Sequence, residues 1–170
     1  DRALSGASFV VFGKAGTDVV ELSDIKSGTL NLIDLNLNGL LDDPSGFEIS
    51  GLTSDALLGH SVSDAGDVNG DGFDDLIIGA HNFDFNGSSS GTSFVVFGKA
   101  DGTAVDIPGI ITGRGGFALN GVSQNDQSGR SVSSAGDVNG DGFDDLLIGA
   151  PFDDPNSLES AGASFVFFGG

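Results

Sequence analysis

The chain has 170 residues, room for one ordinary domain, and sets 25 Asp and Glu against 6 Lys and Arg, a formal net charge of −19. Binding a polyanion needs clustered cations, and here Arg2, Lys14, Lys26, Lys99, Arg114 and Arg130 are scattered through a negative field, which excludes nucleic acid and anionic membrane surfaces as partners. The absence of Cys excludes disulfides and thiolate chemistry, and no apolar run approaches the ~18 residues of a spanning helix, so no membrane insertion is expected.

The first predicted element is GASFVVFG at 6–13, a Phe- and Val-rich run between glycines that reads as a strand, designated C. A long connection follows, containing DLNLNGLLD at 34–42, and then GFEISG at 46–51 reads as a shorter strand, D. From residue 60 the chain runs HSVSDAGDVNGDGFDDLIIGA, a strand A that alternates small or polar with apolar residues, an Asp-rich loop, and an apolar strand B. Strand C returns as GTSFVVFG at 91–98 and D as GFALNG at 116–121. Residues 130–150, RSVSSAGDVNGDGFDDLLIGA, repeat 60–80 at 18 of 21 positions, and GASFVFFG at 162–169 is a third C. The strand order is therefore C, D, A, B, C, D, A, B, C, and no window carries a sustained 3.6-residue apolar period, so no helix is expected.

The predicted fold is all-β: β-propeller blades of four antiparallel strands, with apolar residues on both faces of strands such as Phe94–Phe97, packed face to face. A two-sheet sandwich is the rival architecture. Four blades at this repeat length would need about 280 residues, so the propeller is incomplete: about two blades plus extra strands. Residues 1–51 are read as the C and D strands of a leading partial blade, 52–121 as a complete blade, and 122–170 as a blade lacking its outer strand. Such a chain is expected to have ends that join further blades of a longer parent chain or copies of itself. Its first residues, DRALSGASF, include neither an initiator Met nor a signal-peptide pattern, as expected of a processed or excerpted chain.

The chemistry lies in the A to B loops. DVNGDGFDD at 67–75 and again at 137–145 follows DxNxDGxxD, in which oxygens at positions 1, 3 and 5 converge on a point, Gly at position 6 allows the sharp turn, and position 7 offers its carbonyl. The pattern assigns Asp67, Asn69, Asp71, the Phe73 carbonyl and Asp75 to one Ca²⁺, and Asp137, Asn139, Asp141, the Phe143 carbonyl and Asp145 to a second; Asp74 and Asp144 are expected to point outward. An EF-hand is excluded because position 12 is Ile78 or Ile148 rather than Glu, and because the loop runs into an apolar strand. All-oxygen ligation favours calcium over zinc or copper. A third match, Asp34, Asn36, Asn38, the Leu40 carbonyl and Asp42, carries fewer charges and competes with a plain Asn-Gly turn.

With these loops, DDLIIGAH (Asp74–His81) or DDLLIGAP (Asp144–Pro151) and the strand SFVVFG, the chain resembles the FG-GAP repeat, the blade unit of the integrin alpha-subunit β-propeller and of many bacterial surface proteins. The GAP signature is intact at Gly149–Pro151 and altered at Gly79–His81, and Leu58-Gly59 and Ser128-Gly129 stand where FG would fall. The resemblance implies strand A innermost, D outermost, and the calcium loops together on one face.

No enzyme signature survives inspection. In FVVFGKA the glycine spacing is wrong for a phosphate loop, and Ala15 or Ala100 follows the Lys. His60 and His81 align with Arg130 and Pro151 and read as exposed turn histidines, while the paired carboxylates Asp42, Asp43 and Asp153, Asp154 read as solvated loops. The expected function is a non-catalytic, calcium-binding propeller segment, extracellular or at the cell surface, serving adhesion or assembly through a protein or glycan ligand. The alternatives are a subunit polymerising head to tail into a filament or sheath, and a lectin-like module, against which stands the absence of Trp and Tyr.

Overall fold

A computed structural model describes residues 7–11, 46–51, 53, 55–100 and 105–170. Most of the leading unit expected at 1–51 therefore lies outside the described residues. The strands are β1 (Ala7–Val11), β2 (Gly46–Ser50), β3 (Ser61–Gly66), β4 (Asp75–Ala80), β5 (Thr92–Val96), β6 (Val105–Asp106), β7 (Gly116–Asn120), β8 (Ser131–Gly136), β9 (Asp145–Ala150) and β10 (Ala163–Phe167).

They form three sheets. The central blade is four-stranded, β3-β4-β5-β7, antiparallel throughout; the following blade is β10-β9-β8; a third sheet sets β1 against β2 and adds β6 parallel to β2. This is an all-β, unclosed propeller arrangement, with the first strands of the two blades, β3 and β8, packed against each other.

Alternation along the strands builds two cores. Ile78 and Ala80 on β4 and Phe94 and Val96 on β5 face one way, against Ile49, Leu58, Phe83, Ile107 and Ile110. Ile77 and Val95 face the other way, against Leu146 and Ile148 of the second blade. A strand whose successive side chains point to opposite faces must be apolar at every position when both faces are covered. Strand β5 is buried at all five positions, apolar at Phe94, Val95 and Val96 and small and polar at Thr92 and Ser93.

The expectation of no helix is corrected by α1 (Ile107–Ile111), one short helix between β6 and β7. The Asp106 side chain caps it by accepting from the Gly109 amide at 3.0 Å, Pro108 lies in its first turn, and Ile107 and Ile110, three residues apart, are buried on the same side. Five residues are too few to carry a period that a sequence window can register.

Candidate metal centre

Each Asp-rich loop leaves one inner strand and enters the next, β3 to β4 and β8 to β9, so the blade itself delivers the two loops to the same end of neighbouring sheets. Within 67–73 the side chains fold back on the backbone. Asp67 accepts from the amides of Asp71 and Gly72, each at 3.0 Å, Asn69 Oδ1 accepts from Asp71 at 2.9 Å, and Asp71 Oδ1 accepts from Phe73 at 2.9 Å. The Asn69 side-chain Nδ2 donates to Asp71 Oδ2 at 3.0 Å. The second loop repeats the pattern at Asp137, Asn139 and Asp141, with distances of 2.7 to 3.1 Å. The turn is possible because Gly72 and Gly142 adopt φ of +91° and +97°.

The last carboxylate of each loop is placed differently. Asp75 and Asp145 are wholly buried, and each uses both oxygens on backbone amides: Asp75 accepts from Val68 at 3.0 Å and Gly98 at 2.8 Å, and Asp145 from Val138 at 2.8 Å and Gly169 at 3.0 Å. Each thus ties the loop to the end of the third strand of its blade. Burial is the main force raising the Asp75 pKa above the usual carboxylate range; the amides of Gly98 and Val68 oppose it, and the charges of Asp71 and Asp67 add to it.

The structure therefore brings together the oxygens at positions 1, 3 and 5 of both loops, Asp67, Asn69 and Asp71 and their counterparts. Asp75 and Asp145 each accept from one amide of their own loop and one beyond the third strand, and each carboxylate oxygen keeps a second lone pair. Among the described residues, no three His, Cys, Asp or Glu side chains are gathered closely enough to hold a metal by themselves. The donor set remains one of hard oxygens, carboxylate, amide and carbonyl, the chemistry that Ca²⁺ takes. The third candidate, 34–42, lies outside the described residues.

Two further corrections concern neighbours of these loops. Asp74 is exposed as expected, but Asp144 reaches across to the first loop: its Oδ2 accepts from the Asp67 amide at 2.9 Å and its own amide donates to the Asp67 carbonyl at 3.2 Å. The Phe143 ring stands over Gly70, where a Cβ would lie 2.5 Å from its Cε1, and Gly170 donates to the Val68 carbonyl at 2.9 Å. No signal within either loop reveals these links, because they depend on which blade lies alongside. His81, expected in an exposed turn, is buried against His60 with ring centroids 4.3 Å apart, and its Nδ1 has no hydrogen-bond partner. Burial first, then the nearby His60 and Arg130, lower its pKa.

Comparison with known proteins agrees with this architecture. A sequence profile described as the FG-GAP repeat matches residues 61–96 and 128–167, the segments that form the inner three strands of each blade. Integrin alpha-5 of Xenopus laevis is 36% identical over 136 residues, which covers 78% of this chain and 12% of that protein. Integrin alpha-3 of Mus musculus is 33% identical over 106 residues, 62% of this chain and 9% of that protein. A phosphatidylinositol-glycan-specific phospholipase D of Dictyostelium discoideum is 33% identical over 114 residues, 61% of this chain and 12% of that protein. The chain thus spans about a tenth of the length of these curated relatives. Among the described residues no helix is long and apolar enough to cross a membrane. Residues 61–96 and 128–167 are FG-GAP repeats, the repeats of a β-propeller blade, and across most of its length the chain is similar to integrin alpha subunits.

Proposed function

We propose that this chain is a non-catalytic, calcium-stabilised propeller segment that serves adhesion or protein assembly outside the cell or at its surface. The observation that carries the reading is the pair of identical loops, 67–75 and 137–145, each curling Asp, Asn and Asp oxygens around one point at the same end of adjacent FG-GAP blades. The similarity to integrin alpha subunits supports the adhesive role and the location.

Asp67, Asn69, Asp71, the Phe73 carbonyl and Asp75 would hold one cation, and Asp137, Asn139, Asp141, the Phe143 carbonyl and Asp145 the other. A bound divalent cation supplies the positive charge that offsets repulsion among the carboxylates. The chain's own residues do the rest: the Asx-type hydrogen bonds pre-form the curl, and Asp75 and Asp145 lock it to the sheet. Calcium at ten times its dissociation constant stabilises by about 1.4 kcal/mol per site, which moves the melting midpoint of a domain this size by about 3–6 °C. Melting the chain in calcium and again in excess chelator tests the reading. The midpoint is expected to fall in chelator, and an unchanged midpoint overturns calcium binding.

A second reading, head-to-tail assembly, is favoured by one specific observation. Leu147, Val166 and Phe168 of the second blade are exposed, whereas Ile77, Val95 and Phe97 at the matching positions of the first blade pack against its neighbour. A sharp monomer boundary in sedimentation removes it.

A further inference from the structure

The two Asp-rich loops touch, and they touch at positions that shape the curl. Asp144, position 8 of the second loop, grips both sides of Asp67, position 1 of the first: its Oδ2 accepts from the Asp67 amide at 2.9 Å and its own amide donates to the Asp67 carbonyl at 3.2 Å. Gly66 makes room for this clasp, since a Cβ there would stand 2.1 Å from Asp144 Oδ2. Beside Asp144, the Phe143 ring covers position 4 of the first loop, where a Cβ on Gly70 would lie 2.5 Å from its Cε1.

Phe143 thus has two attachments. Its carbonyl stands at the donor position of the second loop, and its ring rests on the curl of the first. Asp67 in turn is the residue around which the first curl closes, accepting from the amides of Asp71 and Gly72 at 3.0 Å each. Holding Asp67 at both its N–H and its C=O restricts the torsions that aim its carboxylate, so part of the ordering entropy is lost before any ligand arrives. Ordering of Phe143 and Asp144 in the second loop therefore orders Asp67 and Gly70 in the first.

We propose that Asp144 is a positioning residue for the cation site of the neighbouring blade, and that through Asp144 and Phe143 the two loops take up Ca²⁺ with positive cooperativity. The proposal rests on the calcium reading given above and adds the coupling between the sites. A net hydrogen bond of ordinary strength changes an equilibrium by about fivefold. Loop 67–75 is therefore expected to bind about fivefold more tightly when loop 137–145 is loaded, and by linkage the reverse holds by the same factor. Repulsion between two bound dications works against this coupling, and salt at about 0.15 M screens it beyond about 8 Å.

The test is an amide NMR titration of the whole calcium-free chain with Ca²⁺ at that salt concentration. The Gly72 and Gly142 amides, which donate to Asp67 and Asp137 Oδ2 at 3.0 and 2.9 Å, report the two loops separately. Both curves are expected to be steeper than a one-site isotherm. Asp137→Asn with Asp141→Asn disables the second loop but keeps Phe143 and Asp144, and should weaken binding at Gly72 about fivefold. Asp144→Ala should abolish the coupling, whereas Asp144→Asn, which loses the charge but keeps an oxygen for the Asp67 amide, should retain it. A role in stability alone lowers the melting midpoint without changing the steepness of either curve, and a role of charge alone makes the Asn variant behave like the Ala variant. Independent sites in the unaltered chain, coupling that survives Asp144→Ala, or loss of coupling in Asp144→Asn overturns the proposal and leaves calcium binding standing. No shift at either glycine overturns the calcium reading and the coupling together.

Discussion

Residues 67–75 and 137–145 have one sequence and two environments. Val68 is 2% exposed because the second blade stands over it, and Val138, the same residue in the same turn, is 57% exposed. Asp67 has the carboxylate of Asp144 on its amide and Gly70 has the Phe143 ring above it, whereas a Cβ on Gly140 would meet nothing within 4 Å. The hydrogen bonds inside the two loops nevertheless match almost one for one. Local sequence is thus enough to write the curl, and the neighbouring blade decides how firmly it is held.

That contrast can be tested at four depths. The largest effect is expected in the cores. Phe94→Ala removes a fully buried ring that meets Phe83 edge-on at 5.7 Å and should cost about 3–5 kcal/mol in urea denaturation, while Phe165→Ala should cost about 1 kcal/mol. Equal losses would mean that the second blade is covered in solution. Next come the buried carboxylates. Asp75→Ala strands the amides of Val68 and Gly98 away from water and should cost about 2–3 kcal/mol, and Asp145→Ala about 1 kcal/mol less, because water can reach Val138.

A smaller effect belongs to the bridge between loops. Asp144→Ala should cost about 1 kcal/mol through the lost acceptor for the Asp67 amide, and Asp74→Ala should stay within about 0.5 kcal/mol. If the two variants melt alike, the bridge contributes nothing. The smallest effect is one of pH. His81 is neutral in the fold with its pKa lowered by burial and by His60 and Arg130, whereas the unfolded chain takes up its proton near 6.5. The unfolded state then binds more protons, so stability falls as pH drops from 6.5 toward the lowered value. His81→Gln should flatten the midpoint across that interval, and an unaltered slope would assign it to other groups.

The strands were legible because repetition and alternation coincide: SFVVFG recurs three times, and successive residues on β5 serve opposite cores. The loop curl was legible from DxNxDG alone. What escaped depends on distance in space or on brevity. Asp106-Ile107-Pro108 carries a cap and a first-turn proline, yet five residues of helix leave no period to detect. Asp144 reads as a surface carboxylate until another blade places the Asp67 amide beside it. Asp75 and Asp145 fit a ligand pattern, and the amides of Gly98 and Gly169, far along the chain, compete for the same oxygens.

The pairing of β6 with β2 sets an order of events during synthesis. Ile49 finds Val105 beside it only after roughly 56 further residues have been made, and at ribosomal speeds of about 5–20 residues per second the earlier segment waits roughly 3–11 s for that partner. Through this interval its edge is open to mispairing, so a pause or a truncation just before residue 105 would leave that edge without its β6 partner.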